Sequence, residues 1–311
     1  MEKEVKKNTL EEVIEAVSEK HDADIIFYNG EIARPCDQDI IDNCISRRRR
    51  KNVILILVTG GGDADSAYRI AKCLQGKYEN FICYVSGYCK SAGTLLVLGA
   101  NKIIFSDHGE LGPLDVQLSK KDDLFQLQSG FTVMDALTAL QDKAFLSFEN
   151  TFLALESKSE GAITVKTAGE IASNLTSGLF SSLFGQVDPM HIGESARALS
   201  IANAYGMRLM KGSGNWTEET LSLLLSGYPS HGFVIDRIEA ETLFDNLREP
   251  EGDEVELAKL LKDEARRPIS SNTYPIIKFL NKEKELTPVS NLPNTNDGTE
   301  NNGQSTQQGA A

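Results

Sequence analysis

A serine stands at the entrance to an uncharged segment of the chain. Ser91 follows a polar stretch that begins at Gly87, and residues 92–100 contain no charge and one hydroxyl, that of Thr94. Earlier in the chain, Gly60–Gly62 directly follows another apolar stretch. A serine can act as the nucleophile of acyl transfer when a base and oxyanion donors lie beside it, and a glycine turn offers unobstructed N–H groups. The two segments together indicate acyl-transfer chemistry.

Each of these features also has a purely structural interpretation. Glycines after a strand often form a tight turn with no ligand. A serine at a helix start is more often a cap than a nucleophile. The glycine run lacks the lysine of a phosphate-binding loop and the GxGxxG spacing of a dinucleotide site, and Asp63 and Asp65 would repel phosphate. No cofactor is therefore expected.

The elements around these residues predict a parallel sheet. The segments "ADIIFYNG", "NVILILV", "FICYVSG" and "KIIFSD" have strand length and composition, and helical segments separate them. The run "NVILILV" is continuously apolar, which is typical of a central strand buried on both faces. This alternation predicts an α/β fold in which both turns lie at the carboxyl ends of neighbouring strands, where ligands bind.

The remaining chain predicts three regions. Residues 1–22 form an N-terminal helix, and residues 23–285 form the main domain. Long amphipathic helices over 132–156, 168–184 and 192–210 make an insertion of about 132–225 in that domain. A strand and a last helix are predicted within "FVIDRIEAETLF". Residues 286–311 are polar and rich in Asn, Gln, Gly and Ser, so a disordered tail is expected.

The composition excludes several classes of protein. With a net charge of −13 and a pI of about 4.9, the chain is not expected to bind nucleic acid through a general basic surface. We interpret the basic run 47–51 as a solvated helix end. The five cysteines are scattered and never spaced as CxxC, so neither a disulfide framework nor a metal site is predicted. No signal peptide or membrane span is recognised, and a cytoplasmic protein is expected.

Longer motifs carry a family resemblance. The stretches "VTGGGDADSAYRIA" and "SGYCKSAGTLLVLGANKIIFSDHGELGPLDVQL" resemble the Clp protease/crotonase superfamily, and more narrowly the serine dehydrogenase proteinase family, which is related to signal peptide peptidase A. "VDPMHIGESARALSIANAYGMRL" and "YPSHGFVIDRIEAETL" extend the resemblance to about residues 23–250. It implies a crotonase-type spiral of ββα units and hydrolysis of a peptide or protein substrate.

The resemblance also implies roles for particular residues. Ser91 would be the nucleophile, and the N–H groups of Gly61 and Ala92 would form the oxyanion hole, with Gly62 supporting the loop. The chain departs from its relatives at Lys90, where they usually carry an apolar residue. We expect Lys90 to face solvent or substrate, because neighbouring side chains at such a turn usually diverge.

The base that would activate the serine is left open between two candidates. His231 falls near the site by analogy with Clp-type peptidases, and Lys143 is the candidate by analogy with signal peptide peptidases. A lysine base must be desolvated, whereas Lys143 also fits a surface position. Asp115 stands about where Clp-type peptidases keep their histidine, and we interpret it as lining the active site. His21, His108 and His191 are assigned to the surface, to a loop near the site and to a helix start.

Three functional classes remain open on the sequence alone. The first is an intracellular serine peptidase acting through Ser91. The second is a crotonase-like acyl-CoA enzyme, which would not need the serine as a nucleophile. The third is a catalytically weak or silent scaffold. A homo-oligomer is expected in each case, because members of the superfamily assemble and the predicted helices carry broad apolar stripes.

Overall fold

The apolar segments predicted as strands lie side by side in one sheet. The computed structural model describes residues 9–114, 117–119 and 127–281, with the side chains of 117–119, 127–136 and 191 left undescribed. Its strands are β1 (Ala23–Asn29), β2 (Asn52–Val58), β3 (Phe81–Val85), β4 (Tyr88–Cys89), β5 (Lys102–Phe105), β6 (Glu110–Leu111), β7 (Gln117–Ser119), β8 (Leu127–Ser129), β9 (Leu247–Arg248) and β10 (Ile276–Phe279).

The main sheet has the strand order β10-β1-β2-β3-β5-β9. Every neighbouring pair in it is parallel except β1 and β10, which are antiparallel. The α/β fold class is therefore confirmed. The run "NVILILV" is β2, which lies between β1 and β3 as predicted.

Helices cover both faces of this sheet. They are α1 (Leu10–His21), α2 (Cys36–Arg47), α3 (Ala64–Lys77), α4 (Ala92–Val97), α5 (Gly130–Lys158), α6 (Val165–Phe184), α7 (Pro189–Ser213), α8 (Glu218–Ser226), α9 (Arg237–Leu243) and α10 (Asp253–Leu260). The helices predicted over 132–156, 168–184 and 192–210 are α5, α6 and α7, each a few residues longer than predicted. None of the described helices is both long and apolar enough to cross a membrane.

Successive residues of β2 point into two different cores. Leu55 and Leu57 pack in the core formed with α2, α3, α4 and α8. Ile54 and Ile56 pack on the opposite face against α1 and α10. Two covered faces explain why this strand is apolar at every position. The N-terminal helix α1 lies within the second core, since Val13 and Val17 are fully buried in it.

The sheet extends beyond the elements that the sequence indicated. Residues 237–243 are not the last helix, because β9, α10, a 3₁₀ turn at Lys262–Ala265 and β10 follow. Strand β10 was missed because it is a short, half-exposed edge strand that contains a lysine, so it has little hydrophobic pattern. The predicted tail 286–311 and Asp115 lie outside the described residues.

Candidate active site

The glycine turn and the serine turn are joined by backbone hydrogen bonds. Thr59 forms an isolated parallel bridge with Cys89. Its N–H donates to the carbonyl of Tyr88 at 2.8 Å, and its carbonyl accepts from the N–H of Lys90 at 3.0 Å. The end of β2 is therefore fixed directly against the residue that precedes Ser91.

Ser91 has an unusual backbone conformation. Its φ of 52° and ψ of −116° place a non-glycine residue where sterics disfavour an L-residue. Such a conformation persists only when the surrounding structure imposes it, and it is concentrated at functional sites. Ser91 occupies the N-cap position of α4, yet its side chain makes no capping hydrogen bond. The half-exposed hydroxyl is therefore not committed to the helix.

The short helix after the serine is fixed on several sides. All six residues of α4 are buried. The hydroxyl of Thr94 donates to the carbonyl of Gly112 at 2.8 Å, and the indole N–H of Trp216 donates to the carbonyl of Leu98 at 2.8 Å. At Gly93, a methyl group would lie 2.5 Å from Thr59 Cγ2, so only glycine allows α4 to approach the end of β2.

A threonine hydroxyl fixes the glycine turn. Thr59 Oγ1 accepts from the N–H of Gly61 at 3.0 Å and donates to the carbonyl of Gly61 at 3.1 Å. Gly61 has a φ of +117°, and a methyl group on it would lie 2.8 Å from Ser91 Cβ. The glycine is thus required both by its backbone conformation and by its contact with the serine.

This arrangement argues against one predicted donor. The N–H of Gly61 already has an acceptor in Thr59, so it is not available to an oxyanion. Among the residues that the structure describes, no acceptor is recorded for the N–H of Gly62. The N–H of Ala92 is the first of α4 and so has no intrahelical acceptor. Thr59 is the residue that the sequence analysis missed here, and a hydroxyl before a glycine run gave no specific signal.

One cavity brings most of the candidate residues together. It has a volume of about 730 Å³, and its lining includes Gly61, Gly62, Ser91, Ala92 and His231. His231 is half-buried and lies in a turn between α8 and α9. Lys143 does not line this cavity and is exposed on α5. Among the candidate bases whose side chains the structure describes, only His231 shares the cavity with Ser91.

Lys90 does not face solvent or substrate, so that expectation is wrong. The residue is 3% exposed. Its ammonium group donates to the carbonyls of Leu111 at 2.8 Å and Phe233 at 3.0 Å, and it lies 3.3 Å from Glu110 Oε2. The side chain turns inward because buried oxygen atoms of two other segments form a site for its charge.

A cysteine next to the serine turn is not a competing nucleophile. Cys89 is fully buried, and burial raises the pKa of its thiol above the ordinary value. The neighbouring Lys90 lowers this pKa by a smaller amount. A buried neutral thiol has little reactivity.

Part of the cavity wall comes from residues 268–271, which were not predicted to lie at the site. Pro268, Ile269 and Ser271 line the cavity together with Glu31. The buried amide of Asn29 holds this segment, since it donates to the carbonyl of Arg267 at 2.9 Å and accepts from the N–H of Ile269 at 2.8 Å. A single asparagine at a strand end gave no signal of this distant contact.

The acidic residues of the glycine loop have structural partners. Asp63 caps α3 and accepts from Ser66 Oγ at 2.6 Å. Asp65 accepts from the hydroxyl of Tyr205 at 2.7 Å, and Tyr205 stacks on Tyr68. These contacts join α7 to the rim of the cavity. Within the described part of the chain, no group of three or more His, Cys, Asp and Glu side chains could hold a metal ion.

The other histidines lie elsewhere. His21 is partly buried, rather than on the open surface, and its Nε2 lies 2.7 Å from Glu254 Oε1. His108 is exposed in the loop before β6. The side chain of His191 lies outside the described residues. Neither His21 nor His108 lines the cavity of Ser91.

Comparisons with known proteins agree with the resemblance read from the motifs. Residues 38–184 match the family model described as the ClpP-like SDH-type serine proteinase. This segment contains the glycine turn, Ser91, α5 and α6, whereas His231 lies beyond it. An uncharacterized protein of Methanocaldococcus jannaschii is 40% identical over 70 residues, which are 22% of this chain and 24% of that protein. The match spans about a quarter of that relative's length.

Two solved structures are also similar. A serine-to-alanine mutant of the 1510-N membrane-bound stomatin-specific protease aligns over 76% of this chain and 82% of its own, with 14% identity and a TM-score of 0.44. A lysine-to-alanine mutant of that protease in complex with a substrate peptide aligns over 83% and 86%, with the same identity and TM-score. These TM-scores are too low to support a functional assignment. The likeness to the ClpP-like SDH-type serine proteinase family therefore depends on the sequence match of residues 38–184.

Proposed function

We propose that the chain is a serine peptidase that forms an acyl-enzyme through Ser91. The observation that carries the proposal is the disfavoured backbone of Ser91, held at φ 52° beside a cavity, with a hydroxyl that caps nothing. A structural cap would use the hydroxyl and would not need this conformation. The match to a serine proteinase family supports the same conclusion.

His231 is the proposed general base. It lines the same cavity as Ser91, and an imidazole nitrogen can accept the hydroxyl proton and later donate it, as this role requires. Lys143 is less suited because its side chain is exposed and does not line the cavity of Ser91. Lys90 is unsuited because its ammonium group is already bound by the carbonyls of Leu111 and Phe233 and paired with Glu110.

The proposed reaction has two steps. In the first, Ser91 Oγ attacks the carbonyl carbon of a peptide bond while His231 takes the hydroxyl proton. The oxyanion is stabilised by the N–H groups of Gly62 and Ala92, which line the cavity and have no recorded acceptor within the described residues. His231 then gives its proton to the leaving amine. In the second step, water attacks the ester and restores Ser91.

A fluorophosphonate probe tests this assignment. The wild-type chain should be labelled on Ser91, and Ser91→Ala should lose all labelling and peptidase activity. Its melting temperature should change little, because the hydroxyl makes no capping hydrogen bond. Ser181→Ala on α6, which removes an exposed hydroxyl, is the matched control and should label like the wild type. If the wild type never labels and Ser91→Ala changes only stability, the scaffold interpretation replaces the peptidase.

We also propose that the chain forms a homo-oligomer. Support comes from α6, on which the large apolar residues Ile171, Leu175, Leu179 and Leu183 are 42–56% exposed. Monomeric proteins rarely expose a contiguous apolar face of this kind. Light scattering coupled to size exclusion should give a mass above the 34.1 kDa of one chain, and a monomer at micromolar concentration would contradict the proposal.

A cytoplasmic location is proposed on the state of the cysteines. All five are free in the described structure, as is usual in a reducing compartment. Fractionation of the native source followed by detection of the chain would test this location, and recovery in the membrane fraction would contradict it.

A further inference from the structure

The side chain of Lys90 crosses from the serine turn to the segment that carries His231. Lys90 directly precedes Ser91, and its ammonium group donates to the carbonyl of Phe233, two residues after His231. We propose that Lys90 is a positioning residue that holds the turn of His231 at a fixed place relative to Ser91. This inference rests on the proposed roles of Ser91 and His231.

Three oxygen atoms lie around the ammonium group. Two are carbonyl oxygens that accept its hydrogen bonds at 2.8 Å and 3.0 Å, from Leu111 and Phe233. The third is Glu110 Oε2, an ion-pair partner at 3.3 Å. A buried charge is stable only when it is paired and hydrogen-bonded in this way. Lys90 therefore connects three segments: the serine turn, β6 and the turn between α8 and α9.

Other contacts also hold the segment of His231, and Tyr228 packs on Phe233 within it. Ile235 exchanges two backbone hydrogen bonds with Leu111, at 2.9 Å and 3.0 Å. The N–H of Phe233 donates to the carbonyl of Ser230 at 3.0 Å, which closes a turn around His231. Phe233 lies between that turn and the Leu111–Ile235 pair. Its carbonyl accepts a hydrogen bond from the ammonium of Lys90, the residue directly before Ser91. Lys90 thus joins the turn of Ser91 to the segment that carries His231.

Lysine suits this position better than arginine or an apolar residue. Its ammonium is compact and directs three donors to different sides, whereas the planar guanidinium fork of arginine cannot follow three divergent acceptors. Its aliphatic chain packs closely on Gly112, where an added methyl would lie 2.6 Å from Lys90 Cδ. An apolar side chain would remove the ammonium donor from the carbonyl of Phe233 and leave the carbonyl of Leu111 with the N–H of Ile235 alone.

The test compares Lys90→Met with His231→Ala in a double-mutant cycle of the fluorophosphonate labelling rate. Lys90→Met keeps the length and removes the ammonium, and it should lower the rate about 10- to 100-fold through misplacement of the base. In the His231→Ala background, the same change should lower the rate less than about twofold, because the base that Lys90 positions is already absent. Equal effects in both backgrounds would mean that Lys90 supports only the fold or the serine turn, and would overturn the proposal.

Hydrogen exchange of the full chain provides a readout without activity. Amides of residues 228–236 should exchange faster in Lys90→Met than in the wild type, while those of β2 should not change. Unchanged exchange in 228–236 would overturn the proposal even if labelling falls. If the wild type does not label or His231→Ala labels normally, the proposed function fails, and the exchange result still decides the role of Lys90.

A milder variant covers the case in which Lys90→Met does not fold. Glu110→Gln removes only the charge of one partner, and its side chain is 25% exposed, so the chain should fold. As in Lys90→Met, the amides of 228–236 should exchange faster and the labelling rate should fall, here by about twofold to fivefold. In the His231→Ala background, Glu110→Gln should have no further effect on the labelling rate. Lys259→Met, at a 62% exposed side chain on α10, is the matched control and should change neither exchange nor labelling. No change in Glu110→Gln would contradict the proposal.

Discussion

The helix that follows Ser91 and the helix α6 of the insertion differ in how the fold uses them. All six residues of α4 are buried. In the 20 residues of α6, the buried residues are two alanines, Ala168 and Ala172. Both helices are rich in apolar residues. Apolar content therefore does not decide burial, because a helix is buried only where other elements cover it.

The two regions should therefore respond differently to the same kind of substitution. In α4 and the glycine turn, the packed side chains and backbone position Ser91. A small substitution there should therefore change both the free energy of unfolding and the activity. Along α6, long apolar side chains such as Leu179 are 56% exposed, so changes there should affect the chain mainly through its surface. The following variants test this contrast.

The largest effect is expected at the glycine turn. Gly61→Ala should lower labelling of Ser91 by at least about hundredfold, because the methyl would lie 2.8 Å from Ser91 Cβ and would displace the nucleophile. The positive φ of Gly61 adds strain for alanine. Gly178→Ala on α6, where an added methyl meets no atom within 4 Å, is the control and should label normally. Normal labelling of Gly61→Ala would show that the serine turn tolerates displacement.

A pair of leucines compares the packing of the two helices. Leu96 on α4 is 1% exposed, and Leu96→Ala should reduce the free energy of unfolding by about 2–5 kcal/mol because it leaves a cavity. Leu179→Ala on α6 should change it by less than about 0.5 kcal/mol in the dissociated chain, where no second copy covers the side chain. Urea unfolding of each variant measures both values. A loss at Leu179 that grows with protein concentration would agree with the proposed oligomer, and a loss as large as that at Leu96 in the monomer would contradict the contrast between the two helices.

The pH dependence of the free energy of unfolding should differ between a buried and an exposed ion pair. Burial alone would raise the pKa of Glu254, but hydrogen bonds from Arg248, His21 and the Glu251 N–H lower it well below the ordinary 4.5. Because the folded-state pKa of Glu254 is depressed, the ionised carboxylate stabilises the folded state above about pH 4.5. This contribution is lost as the pH falls below that value. At neutral pH, Glu254→Gln should lower the free energy of unfolding by about 1.5–3 kcal/mol. The difference from the wild type should narrow as the solution is acidified.

The exposed pair on α6 is the control for this prediction. Lys166 and Glu170 approach to 3.9 Å with side chains 87% and 63% exposed. Glu170→Gln should change the free energy of unfolding by less than about 0.5 kcal/mol at any pH. A constant difference between Glu254→Gln and the wild type down to about pH 2 would contradict the assigned role of Glu254.

The smallest effect is a gain in stability within the insertion. Gly178 lies in the middle of α6 with open space around it. Gly178→Ala should raise the free energy of unfolding by about 0.5–1 kcal/mol, because alanine loses less conformational entropy in a helix. Thermal unfolding measures this gain. A loss of stability would indicate that a neighbouring chain approaches α6 closely at this position.

The local elements and the turns of the site could be predicted from short stretches of sequence. The continuous apolar run of β2 predicted a strand buried on both faces, and β2 lies inside the sheet. The glycine run and Ser91 each follow a strand, so parallel pairing alone brings their turns together. The strand and the turns depend on residues that are close in sequence. The hydrophobic pattern of the strand and the backbone preferences of glycine can be recognised without knowledge of distant contacts.

Which polar groups meet at the site depends on contacts between distant parts of the chain. Lys90 turns inward because Leu111 and Phe233 offer carbonyl oxygens, and Thr59 occupies the N–H of Gly61. His231 lines the cavity of Ser91 while Lys143 on α5 does not. The edge strand β10 and the wall at Pro268 also come from residues far along the chain. The physical reason is that burial and hydrogen bonding of a polar side chain depend on partners that folding brings near, and no local pattern of residues encodes them.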